Sequence, residues 1–162
     1  MPQSHRYINR LGPPNLLLVN RGKGHFSVAP ESREIAEWHS TYQSVWSDFD
    51  QDGDPDMLLS NGDAFDYSPP LPKPWHSVQW LENLGGSDFQ YHRIGAVPGA
   101  YNARATDLDG DGDSDLVFGA HSDGLRVFLN GGDLTWTESP SQHKRPFRML
   151  DVCLGHLNDD DH

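Results

Sequence analysis

The chain has 162 residues and carries 24 Asp and Glu against 12 Lys and Arg, a formal charge of −12 at pH 7. An acid excess of this size argues against nucleic acid as a partner, because phosphate binding needs a basic footprint. No stretch approaches the eighteen apolar residues of a membrane span, and the single cysteine excludes an internal disulfide.

The first predicted element is a hairpin. Leu16-Leu-Leu-Val19 is an apolar run that ends at Asn20, a glycine-bearing turn follows, and Phe26 stands six positions after the Asn. The same landmarks return at Asn83 with Phe89 and at Asn130 with Trp136, closing the runs Val78 to Leu81 and Leu125 to Leu129. Such repetition marks a tandem architecture.

The next element is Asp48-Phe-Asp-Gln-Asp-Gly-Asp-Pro-Asp56, with five aspartates at alternate positions around one glycine. Its flanks, Ser44 to Ser47 and Met57 to Ser60, have strand compositions, so the loop joins two strands of a second kind of hairpin. An insertion from Asn61 to Trp75 follows, and its Ser-Pro-Pro-Leu-Pro-Lys-Pro run is predicted to be irregular, because Pro cannot donate to a ladder. Phe65, Tyr67 and Trp75 in that insertion are the candidate contacts for a partner. The loop pattern then returns as Asp107-Leu-Asp-Gly-Asp-Gly-Asp-Ser-Asp115, between Arg104 to Thr106 and Leu116 to Gly119. Cys153 is expected within an apolar strand, as a free, buried thiol. In the last residues, His156, Asn158 and Asp160 take positions 1, 3 and 5 of a third loop. His156 replaces an acid and Asp161 replaces the glycine, which leaves Asn158 and Asp160 as a degenerate metal site. The sequence ends before position 9, so the chain is expected to be a fragment of a longer protein or to close its ring by association.

Five carboxylates within nine residues repel one another, by about 3 kcal/mol for two charges about 5 Å apart at an effective dielectric near 20. A divalent cation resolves that conflict. The pattern is that of a Ca²⁺ loop, Mg²⁺ being less suited to so many oxygens. Positions 1, 3 and 5 supply side chains, from Asp48, Asp50 and Asp52 in one loop and Asp107, Asp109 and Asp111 in the other. Asp54 and Asp113 at position 7 offer backbone oxygen after the glycine, and Asp56 and Asp115 close the loop at position 9. Position 12 is Leu59 or Phe118 rather than the Glu of an EF-hand.

Two hairpins make one unit of four strands, and tandem units of this kind resemble the blades of a β-propeller. The motifs DFDQDGDPD and DLDGDGDSD, each leading into an apolar strand, are similar to the FG-GAP or VCBS repeats of integrin-α-like propellers. The Gly-Ala-Pro part of that signature is missing, with Phe118-Gly119-Ala120 remaining. The expected fold is all-β, with tandem four-stranded antiparallel blades of a partial propeller and calcium-binding loops between strands 1 and 2 of the blades. The expected division is 1–35 for the last hairpin of a preceding blade, 36–98 for a blade with the Pro-rich insertion 61–75, 99–142 for a second blade, and 143–162 for the start of a truncated one. The resemblance implies an extracellular or cell-surface location and recognition of a protein or glycan. It also implies that the rest of the same propeller, or another copy, completes the ring.

No catalytic constellation is found: the chain lacks a nucleophile elbow, a zinc-protease motif and a phosphate-binding loop. A non-enzymatic recognition module is therefore expected. The alternatives are a piece of a larger secreted carbohydrate-active enzyme and a purely structural array. His76, His92, His121 and His143 are expected to be exposed turn residues, and Trp46, Trp80 and Trp136 to be core.

Overall fold

The computed structural model describes residues 15–29, 41–62, 76–86, 88–120, 124–133, 135–140 and 151–155. Ten strands occupy them, and no helix is found among the described residues. In chain order they are β1 (Leu18–Gly22), β2 (His25–Val28), β3 (Gln43–Ser47), β4 (Asp56–Asn61), β5 (Ser77–Asn83), β6 (Phe89–Gly95), β7 (Ala100–Thr106), β8 (Asp115–Ala120), β9 (Gly124–Asn130) and β10 (Trp136–Ser139). They form one two-stranded sheet, β1-β2, and two four-stranded sheets, β3-β4-β5-β6 and β7-β8-β9-β10. Every pairing is antiparallel between neighbours in the chain. No helix among the described residues is long and apolar enough to cross a membrane.

The central strands explain how the sheets stack. Every residue of β4 and of β8 is buried, so both faces of each strand must be covered. Side chains alternate between faces. On one face of the first large sheet, Leu58, Val78 and Trp80 join Leu116, Phe118 and Phe128 of the second in a common core. On the opposite face, Met57, Leu59, Leu81 and Phe89 form a separate cluster against which Leu17, next to β1, is packed. The hairpin and the two sheets thus stack in chain order, each against the next.

Aromatic rings concentrate the contact between the two large sheets. Phe49, Trp80 and Trp136 meet edge to face, with ring centroids 5.8 to 6.4 Å apart. Phe49 and Trp80 are almost completely buried, and burying one large apolar side chain contributes about 1.5–3 kcal/mol. The ion pairs Arg104–Asp151 and Arg126–Glu138 have half-exposed partners and are worth about 0–1 kcal/mol each. Apolar burial therefore holds the stack. Polar links add register, since Gln43 Oε1 accepts the Ala103 N–H at 2.7 Å across the interface.

Several expectations are corrected. Trp46 is not core: 47% of it is exposed. Val45, one residue earlier, takes the face toward the shared core, so Trp46 must point the other way, where it pairs with Met57 and lines a groove of about 290 Å³ with Leu17 and Thr41. Trp80 and Trp136 do pack in the core. Cys153 is exposed in a segment that is not a strand, because its neighbour Val152 is the residue turned inward. His76 is buried rather than exposed. His92 sits within β6, stacked on Trp80 with centroids 4.5 Å apart and paired with Glu82. His121, His143, Phe65, Tyr67, Trp75, Asn158 and Asp160 lie outside the described residues.

Candidate metal centres

Each aspartate loop is built by its own carboxylates. In the first, Asp48 Oδ2 accepts the Gly53 N–H, Asp50 Oδ1 the Asp52 N–H and Asp52 Oδ1 the Asp54 N–H. In the second, Asp107, Asp109 and Asp111 accept the N–H groups of Gly112, Asp111 and Asp113 in the same pattern. Short Asp side chains favour such local turns. The loop glycines carry the reversal, with φ of 96° at Gly53 and 97° at Gly112, a region that only glycine enters without strain.

The ninth aspartate is the anchor. Asp56 is fully buried, and its two oxygens accept the Phe49 N–H at 3.0 Å and the Asn83 N–H at 2.7 Å. Asp115 does the same with Leu108 at 2.7 Å and Asn130 at 2.8 Å. Each carboxylate therefore ties its own loop to the end of the following hairpin. Asn83 and Asn130 had stood out only as repeated landmarks. Their side chains close the next turn by accepting the Gly85 and Gly132 N–H groups, as Asn20 does with Gly22. The main-chain N–H that holds the aspartate has no residue signature of its own, but its place after a repeated apolar run does.

Three carboxylates converge in each loop. Ligand oxygens of Asp48, Asp50 and Asp56 all lie within 4.8 Å of one another, as do those of Asp107, Asp109 and Asp115. Two oxygens on opposite sides of a calcium ion, each about 2.3–2.6 Å from it, are separated by about 5 Å. The spacing fits one shared cation. Asp48 Oδ1 supplies a further test, because it is shielded from solvent with no hydrogen-bond partner. An anionic oxygen so placed destabilises the fold by about 1–3 kcal/mol or more unless something positive meets it. The donor set, oxygen throughout, suits a hard ion. The residues fit the group.

The remaining predicted ligands stand outside these triads. Asp52 and Asp111 offer side-chain oxygen to the turn, as above. The carboxylate of Asp113 accepts from the Gln51 amide and comes close to Gly132, while that of Asp54 comes close to Gly85. Both side chains are thus turned toward the following hairpin.

The electrostatics carry the expected strain. Burial pushes the Asp50 carboxyl above its ordinary range, and the charges of Asp56, Asp52 and Glu82 add to it. Burial also raises Asp56, opposed by the N–H groups of Asn83 and Phe49. Asp109 is raised by partial desolvation within its loop and then by Asp111 and Asp115.

Two equivalent acid loops, each seated between strands 1 and 2 of a four-stranded sheet, now coincide with a known sequence pattern. Residues 48–118 match the family model of the FG-GAP-like repeat. The FG-GAP-like segment opens on Asp48, the first ligand of the first triad, and ends within β8, just past the second triad. It therefore spans both candidate centres and strands β4 to β7 between them. No curated protein matches the chain.

Proposed function

We propose that this chain is a non-catalytic, calcium-stabilised repeat module, whose two four-stranded sheets are neighbouring blades of a β-propeller that recognises a protein or glycan outside the cell or at its surface. The reading rests chiefly on Asp48 Oδ1, a solvent-shielded carboxylate oxygen without a hydrogen bond, set in a triad with Asp50 and Asp56 at the start of the FG-GAP-like segment. When bound, a calcium ion neutralises these carboxylates and crosslinks them. The chain's own part is to pre-shape the site. Asp48 and Asp50 hold the loop turns, while Asp56 is fixed from both sides by Phe49 and Asn83. Asp107, Asp109 and Asp115 take the same roles in the second loop.

The uncovered outer face of the β1-β2 hairpin supports a further part of the reading. Leu18 pairs with Val28 and Asn20 with Phe26, and Leu16, Leu18, Phe26 and Val28 are each more than half exposed. Apolar patches of this kind mark association surfaces. In our reading, further blades of the same propeller, or a second copy, cover it.

A ligand that binds only the folded state adds stability by mass action, about 2.7 kcal/mol per site at a hundredfold excess over its Kd. Thermal melts in millimolar calcium and in chelator should differ by several degrees. Equal midpoints would remove the metal from the proposal. Recognition is tested by a glycan array probed with calcium-loaded protein and with chelated protein; no calcium-dependent binding to glycans or to cell-surface proteins would leave only a structural array.

A further inference from the structure

The two loops are not separate. Position 4 of the loop is Gln51 in the first and Gly110 in the second, and both adopt left-handed backbone, with φ of 60° and 81°. Glycine takes this conformation freely, whereas a long side chain there is disfavoured. The glutamine has a use that glycine lacks. Its Nε2 donates to the Gly112 carbonyl at 3.2 Å and to the Asp113 carboxylate, both in the other loop.

A second link runs through the core side. Asn83 donates its Nδ2 to the carbonyl of Pro55 at 3.1 Å, within its own loop. The equivalent bond from Asn130 to Ser114 is stretched to 3.5 Å, because Asn130 Nδ2 turns instead to the Phe49 carbonyl of the first loop at 2.8 Å. Phe49 in turn gives its N–H to Asp56, and Asn130 gives its N–H to Asp115. One ligand of each triad is thus joined to the other through two residues. Beside them, the hydroxyls of Ser47 and Ser114 meet at 3.0 Å, each preceding a ligand in the chain.

We infer that the two cation sites bind cooperatively, coupled by an inter-loop clasp in which Gln51 and Asn130 are the positioning residues. This rests on the metal reading above. Ordering either loop fixes the groups to which the other is bonded, so the second ion meets a loop already ordered, which gives positive coupling. Charge acts in the opposite sense, because the first ion weakens the negative field that draws the second, so the positive coupling comes from the ordering carried by the clasp.

Calcium titration calorimetry on the wild type and two single-site variants measures the effect. Asp109→Ala reports the first site alone and Asp50→Ala the second alone. The product of the two wild-type association constants should exceed the product of these single-site constants by about fivefold, the lower end of common allosteric couplings. The same cycle in a Gln51→Gly background should give a factor below about twofold, while the single-site affinity of the first loop is retained, since glycine serves at Gly110. Gln51→Asn, which tolerates the backbone but is too short to span, should behave alike. Circular dichroism in chelator verifies that each variant is folded. A wild-type factor of one would overturn the coupling and leave the metal reading intact. A full factor in both Gln51 variants would overturn the clasp. Absence of calcium binding in the wild type would instead defeat the metal reading itself, and the coupling with it.

Discussion

Asp50 and Asp56 belong to one triad, yet their replacement by Asn should act in opposite directions in chelator. Burial, and after it the neighbouring acids, push the Asp50 carboxyl up, so removing its charge relieves both costs and should leave the chelated protein as stable or more so. Asp56 accepts two backbone N–H groups while fully buried. An Asn there has one acceptor oxygen and must turn an NH₂ toward a donor, which should destabilise by about 1–3 kcal/mol. Urea denaturation in chelator distinguishes the two; equal losses would mean that Asp56 is a ligand and nothing more. In calcium, both variants should lose the ion's contribution at the first site. The aspartates of each loop were readable from their alternation around glycine, but this division of labour was not. It depends on which strand end lies opposite the ninth aspartate.

At the scale of the loop, the direction of the shifts sets a pH dependence. Asp50, Asp56 and Asp109 all titrate above their ordinary value of 3.8, so the chelated fold binds protons more tightly than the unfolded chain does. Their contribution to stability is fully present below the ordinary value and is lost as pH rises through the higher folded values. The chelated protein should therefore melt higher near pH 4 than at pH 7, helped by the fall in net negative charge. With calcium the order should invert, since the ion needs deprotonated ligands and competes with protons. Melts at both pH values, with and without calcium, check this; a parallel trend in the two conditions would contradict it. The strands flanking the loops were legible because their composition and the acid loops are local signals. The facing of Trp46 was not, because an inward or outward direction on β3 depends on which side the neighbouring sheet occupies. Gln51 was opaque for the same reason, its partner being a loop about sixty residues away in the chain.

Among the described residues, the stack of hairpin and sheets leaves uncovered the apolar face of Leu16, Leu18, Phe26 and Val28. Replacing Leu18 by Lys together with Phe26 by Ser should lower concentration-dependent self-association in sedimentation velocity, with little change in melting temperature, because these side chains are already in solvent. Unaltered association would move the contact elsewhere. The repeat and its four-strand unit were visible in the spacing of Asn, aromatic and Asp landmarks, which is why the sheets could be foreseen as a pair.

The β4 to β5 connection leaves its sheet at the end opposite the aspartate loop, and both of its feet are held. Gly62 lies so close to the Ala100 backbone that even a methyl group would meet it at 2.1 Å, and His76 and Ser77 are buried where β5 begins. With its roots pinned and the aspartate loop at the far rim, that connection is anchored well away from the acid triad of the same sheet. The two rims of the sheet are thereby kept apart, acid chemistry on one and close backbone packing on the other.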